Sequence, residues 1–138
     1  MERTLILVKP DGVERGLAGE IIRRFENKGL KICAMKMMQV DEDLCASHYA
    51  EHVNKPFYPD LKAFIMRSPI IAMVAAGEDA VAVSRKMMGA TKFSEAEPGT
   101  IRGDYAFGFT ENLVHGSDSV ESAAREIGLY FTDDELFF

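Results

Sequence analysis

The sequence predicts a single α/β or α+β domain, on three observations. Short strand-like runs alternate with amphipathic segments along the chain. Its 138 residues are the length of one ordinary domain, so residues 1–138 are expected to form one unit without a linker. Hydrophobic residues make up 47% of the chain, enough to fill a core.

The elements follow in order. Thr4 to Val8 is apolar and reads as a buried strand. Leu17 to Asn27 places Leu17, Ile21 and Phe25 on one helical face, and Gly29 is a helix stop. Ile32 to Val40 is a second strand. Leu44 to Val53 and Leu61 to Met66 read as two short helices, kept apart by the two prolines of Lys55-Pro56-Phe57-Tyr58-Pro59. Ile70 to Ala75 is the third strand and Ala80 to Met88 a further helix. Gly89 to Gly103 has no periodicity and carries Pro98, so it reads as a long loop, and loops of that length in compact domains are usually functional or disordered. A fourth strand falls at Leu113 to His115, with Tyr105 to Phe109 competing for the role. Val120 to Phe131 closes the pattern as a helix, with Asp118 and Glu121 spaced as a capping box. Met35, Met37, Met38, Met87 and Met88 read as core filling.

Composition excludes several classes of function. A net charge of −6 does not suit a nucleic-acid surface, so any phosphate site must be local. Cys33 and Cys45 have no zinc or redox spacing and read as buried free thiols of a reducing compartment. The longest apolar run, Ile70 to Ala76, is too short to cross a bilayer, and no leader pattern opens the chain. A cytoplasmic protein is expected.

Chemistry concentrates in Asn112-Leu113-Val114-His115-Gly116-Ser117-Asp118. An imidazole stands just ahead of a helix start, where unpaired N–H groups and the macrodipole favour an anion. Neutral histidine near pH 7 is a nucleophile as well as a proton carrier, so His115 is placed to attack phosphorus. The competing reading is a histidine that only caps or packs. Arg85 lies on an apolar-rich helix and Arg102 in a glycine-flanked loop with no packing reason of its own; guanidinium forks suit phosphate oxygens, although each also reads as a solvated surface arginine. Phe57, in the proline-bracketed turn, offers a flat face that stacks on any base, or else a satellite contact under the turn. His48 and His52 have the i, i+4 spacing of a zinc pair but lack the Glu of HExxH and a clear third ligand.

These stretches, with Lys9-Pro10-Asp11-Gly12, Thr91 and Pro98-Gly99-Thr100-Ile101-Arg102-Gly103-Asp104, closely resemble the nucleoside diphosphate kinase family, from Arg3 to about Leu136. The Asn-x-x-His-Gly-Ser-Asp segment is that family's signature around its phosphorylated histidine. The resemblance implies a ferredoxin-like βαββαβ sandwich, with a four-stranded antiparallel sheet covered by helices. It implies ping-pong transfer of the γ-phosphate from a nucleoside triphosphate, mainly ATP, to any nucleoside diphosphate through phosphorylated His115. Arg85, Thr91 and Arg102 would grip phosphates, Lys9 and Asn112 would contact phosphates and ribose, and Phe57 would stack on the base. Tyr49, Glu126 and Ser117 would support the histidine, and His52 matches a position that approaches phosphates in some relatives. Mg²⁺ would be held mainly by the nucleotide phosphates, with Asp118 reaching it through water. The absence of GxxxxGK[ST] and of a protein-kinase glycine loop agrees with a histidine route.

Departures stand beside the likeness. Lys92-Phe93 replaces the family's common Asn-Pro, and Ala90 stands where many relatives carry Glu. Ending at Phe138, the chain resembles the short bacterial members; family members assemble as hexamers or tetramers, and Leu136-Phe137-Phe138 suits an interface. Two rivals remain: a catalytically silent nucleotide-binding module, and a metal hydrolase built on His48, His52 and His115.

Overall fold

The structure is a computed structural model describing residues 1–138. Its centre is a sheet of four strands, β1 (Glu2–Val8), β2 (Lys31–Met38), β3 (Ile70–Gly77) and β4 (Val114–Gly116), in the order β2-β3-β1-β4 with antiparallel neighbours. This is the expected ferredoxin-like arrangement. Helices α1 (Pro10–Glu14), α2 (Ala18–Lys28), α3 (Glu42–His48), α4 (Tyr58–Met66), α5 (Ala80–Met88), α6 (Ile101–Tyr105) and α7 (Val120–Tyr130) complete it.

The two central strands are apolar at consecutive positions because both faces of the sheet are covered. Leu5 and Leu7 of β1 join Ile70, Ala72, Val74 and Ala76 of β3 in one core, against Cys45, Ile65, Ile127 and Tyr130 from α3, α4 and α7. Ile6 and Val8, with Ile71, Met73 and Ala75, face the other way onto Ile21 and Phe25 of α2 and Ala80 and Met88 of α5. The two-residue period of a strand thus sorts one apolar run into two cores.

Several expectations change. Helix α3 ends at His48 rather than Val53, because the chain leaves helical geometry at Tyr49 (φ −103°, ψ 35°). Helix α4 starts earlier than Leu61, with Pro59 in its first turn, where the missing N–H is harmless. The stretch Gly89 to Gly103 is not wholly loop: it holds a 3₁₀ turn at Phe93–Glu95 and the start of α6, whose cap Thr100 accepts a hydrogen bond from the Gly103 amide at 3.0 Å. Gly103 is required there, since a Cβ would run into the Glu97 carbonyl. Tyr105 to Phe109 forms no strand. Helix α7 is capped not by Asp118 but by Ser119, whose hydroxyl accepts from the Ser122 amide at 3.0 Å. Met35 and Met37 are 47% and 62% exposed rather than core, because β2 is an edge strand and they point away from Ala34 and Met38. Cys33 and Cys45 are buried free thiols. No helix is long and apolar enough to cross a membrane.

Candidate active site

Strand β4 is three residues long, yet it fixes the chemistry. It pairs with β1 so that His115 lies opposite Leu7, and the turn before it is clamped to the end of β1. The Lys9 amide donates to the Leu113 carbonyl at 2.8 Å, and the Leu113 amide donates to the Asp11 carboxylate at 3.1 Å. Leu113 itself adopts φ 75°, a left-handed conformation that a branched residue takes only under constraint. Short helix α1, too brief to leave a periodic signal, is what brings Asp11 under that turn.

A cavity of about 290 Å³ opens above β4. Its walls bring together Lys9, Tyr49, His52, Arg85, Thr91, Arg102, Asn112, His115, Asp118 and Glu126, residues scattered over 118 positions of sequence. Phe57 is not in the wall; it stands at the rim, 49% exposed, with its ring 5.4 Å from that of His52. Ser117 lies behind the wall and is fully buried.

The imidazole of His115 is held from behind. Its Nε2 pairs with Glu126 Oε1 at 2.9 Å, and the Ser117 hydroxyl donates to the same oxygen at 2.8 Å. Ser117 is thus bonded to the carboxylate. With Nε2 engaged, Nδ1 is the nitrogen open to the cavity. Burial keeps His115 below the ordinary histidine range despite the opposing pull of Glu126, so the ring stays neutral and its lone pair free. Burial pushes Glu126 the other way, but hydrogen bonds from His115 and Ser117 outweigh it and hold the carboxyl below its usual value.

Four cationic side chains line this nitrogen's cavity, and one of them, Arg125, is spent on the Ser47 and His48 carbonyls. Lys9 Nζ donates to Asn112 Oδ1 at 2.8 Å; burial, then the charge on Arg102, lowers the ammonium to about 8. Asn112 in turn donates toward the Thr91 carbonyl at 3.5 Å. Arg85 is exposed and spends one N–H on the Gly116 carbonyl at 2.8 Å. Arg102 is different, being only 6% exposed. It donates to the carbonyls of Asn112, Gly89 and Val114 at 3.2, 2.9 and 2.8 Å, so it does have a packing reason: it ties the end of α5 to β4 and the turn before it. Burial and the nearby Arg85 bring its guanidinium down to about 10.

Some sequence readings are redrawn here. Tyr49 makes no hydrogen bond to His115; it stacks on His48, ring centroids 4.4 Å apart and 12° from parallel. The helical zinc pair does not form, because α3 stops at His48 and His52 lies in the following turn. His48 instead packs against His115 itself, edge to face at 4.6 Å. Sequence reasoning weighed His48 only as a zinc ligand and missed Tyr130, whose hydroxyl meets His48 Nδ1 at 2.6 Å. No local pattern in the sequence signals this pair, whose members lie 82 residues apart.

Comparison with known proteins agrees with this arrangement. A family model described as nucleoside diphosphate kinase matches residues 2–136. The nucleoside diphosphate kinase of Exiguobacterium sibiricum is 59% identical over 99% of this chain and 99% of that protein, and the Listeria monocytogenes enzyme is 57% identical over 99% and 92%. Among solved structures, the Halobacterium salinarum nucleoside diphosphate kinase in complex with CDP has a TM-score of 0.97 at 52% identity, covering 99% of this chain and 91% of that one. A Babesia bovis nucleoside diphosphate kinase family protein matches equally well in TM-score, 0.97, at 48% identity, covering 100% and 93%. Signature segment, strand order and whole-chain identity converge: the chain belongs to the nucleoside diphosphate kinase family.

Proposed function

We propose that this nucleoside-diphosphate kinase works in two half-reactions through His115. The observation that carries the reading is a neutral imidazole with Nε2 pinned by Glu126 and Nδ1 open to a cavity lined by Lys9, Arg85 and Arg102. The Nδ1 lone pair attacks the γ-phosphorus, the bond from phosphorus to the β–γ bridging oxygen breaks, and its electron pair leaves on the diphosphate. Glu126 balances the positive charge that the ring gains on phosphorylation. A second diphosphate then takes the phosphoryl group by the reverse path. Arg85, Arg102, Lys9 and Thr91 neutralise charge spread over the transferring group, which is most of what this chemistry demands.

The cavity's carboxylates are Glu51, Asp118 and Glu126, and the last is already engaged. That is too few for an all-protein metal cage, and it fits a Mg²⁺ carried in on nucleotide phosphates with Asp118 reaching it through water. When bound, the ion would supply charge neutralisation at the nucleotide phosphates. Nucleoside di- and triphosphates are the partners in this reading, Lys9 and Asn112 taking phosphates and ribose, Phe57 the base, and His52, which neighbours Phe57, approaching the phosphates. Two apolar surface groups, Phe107 with Phe109 and Phe137 with Phe138, all at least 67% exposed, support a homo-oligomer, hexamer or tetramer, which light scattering would size. The two free thiols support a cytoplasmic setting.

Incubation with γ-labelled ATP and Mg²⁺ should leave an acid-labile, alkali-stable label on His115. Full exchange activity with unlabelled protein would overturn the mechanism. Nucleotide binding with neither label nor exchange would instead mark a silent binding module.

A further inference from the structure

We infer that His48 and Tyr130 are positioning residues for phosphoryl transfer, acting on His115 through Glu126; the inference rests on His115 being the phosphorylated residue. Glu126 Oε1 is doubly engaged, by His115 and Ser117, whereas Oε2 makes no hydrogen bond within the protein and lies 3.8 Å from His48 Nε2. That His48 nitrogen is buried without a hydrogen-bond partner, in a side chain 2% exposed, so its charge complementarity with Oε2 is what it has. The opposite nitrogen, Nδ1, meets the Tyr130 hydroxyl at 2.6 Å.

The tautomer follows from both ends. Tyr130 is buried and stays a neutral phenol, and its hydroxyl has no acceptor except His48 Nδ1, so it donates there. A neutral imidazole that accepts at Nδ1 carries its proton on Nε2. This is also the electrostatically favourable state, because a bare Nε2 lone pair would confront the Glu126 carboxylate. Tyr130 therefore donates to His48, and His48 and His115 each turn an Nε2–H toward the Glu126 carboxylate, His48 toward Oε2 at 3.8 Å and His115 to Oε1 at 2.9 Å. His48 fixes the carboxylate from the side that Ser117 leaves open, and so keeps the His115 proton on Nε2 and its attacking pair on Nδ1. His48 also meets the His115 ring edge to face at 4.6 Å, which limits ring rotation.

Three variants test this: Tyr130→Phe, which removes only the hydroxyl; His48→Phe, which fills the space without a donor; and His48→Gln, which returns an amide N–H near Nε2. Single-turnover formation of phosphohistidine from γ-labelled ATP should slow about tenfold or more in the first two, the usual loss when a residue orienting an active group is removed. Nucleotide affinity should change less than about twofold, and His48→Gln should recover most of the rate. In ¹⁵N-histidine spectra of the native protein His48 and His115 should both be protonated at Nε2, and His115 should become a tautomer mixture in His48→Phe. Native rates in Tyr130→Phe and His48→Phe would overturn the inference, as would a native His48 proton on Nδ1. If His48→Phe fails to fold, Tyr130→Phe and the native spectrum decide alone. A native protein that takes no label at all refutes the reading of His115 instead, so the two failures are told apart.

Discussion

The floor of the cavity and its rim are built on opposite plans. At the floor, His115, Glu126, Ser117, His48 and Arg102 are held by bonds to neighbouring side chains and to the backbone at Gly89, Asn112 and Val114. At the rim, Phe57 is half exposed beside the His52 ring, with the Lys55 ammonium 5.9 Å from its ring centroid. In the function proposed above, the floor handles what every nucleotide shares, a phosphoryl group with one transition-state geometry, and gains from being preorganised. In the same proposal the rim meets the part that differs between substrates, and gains from reading no hydrogen-bond pattern.

The strongest test of the floor is His115→Ala, which should reduce exchange about 10⁴-fold or more while leaving folding and nucleotide binding largely intact. Steady-state rates together with a binding titration measure both parts. Next come the two arginines, which face the same cavity but are built in differently. Arg102→Ala strips three buried carbonyls of their donor and should lower unfolding free energy by about 2–4 kcal/mol as well as activity. Arg85→Ala, at an exposed site with one such bond, should impair activity with a stability change of about 1 kcal/mol or less. Urea titrations of both variants check this; equal stability losses would erase the distinction between a brace and a free cation.

Acid should weaken the floor before the rim. Burial, chiefly, with the neighbouring His115 charge, lowers His48 to about 3 in the folded chain, against 6.5 when unfolded. Between those values the unfolded state holds the proton and the folded state does not, so stability falls as pH falls. The contribution is complete above pH 6.5 and declines by about 1.4 kcal/mol per unit toward pH 3. His115, also lowered, acts in the same direction. Urea midpoints taken from pH 7 to 5 should drop in the native protein and drop less in His48→Phe. Parallel curves would assign the acid sensitivity elsewhere.

The same contrast governs what could be read in the sequence. Periodicity suffices where one element's own residues decide, as in α5, which spans the expected Ala80–Met88, or the C-cap of α2 at Gly29, with φ 107°. It fails where the cause lies elsewhere in the chain. Arg102 looks free of packing because its three carbonyls come from Gly89, Asn112 and Val114, which no local pattern links. His48 meets Tyr130 across 82 residues, and Met35 and Met37 are exposed only because β2 falls at the sheet edge. Helices of five residues, α1 and α6, are too short for a period to register. The signature around His115 is legible for the opposite reason: it is contiguous, so the nucleophile, its strand and the buried serine beside it arrive together.

The mildest expected effect falls on the rim. Phe57→Ala removes a ring that no core depends on, so folding should be unchanged. Nucleotide binding should weaken by about 1–3 kcal/mol, and by a similar amount for adenine, guanine, cytosine and uracil nucleotides, because a π-face is common to every base. Equilibrium titrations of four diphosphates against native protein and variant measure it. A loss confined to one base would mean that the rim reads hydrogen bonds after all, and would place specificity on His52 or the Lys92-Phe93 loop. A loss in turnover instead of affinity would mean that the rim helps to aim the phosphate, and the division between a rigid floor and a permissive edge would no longer hold.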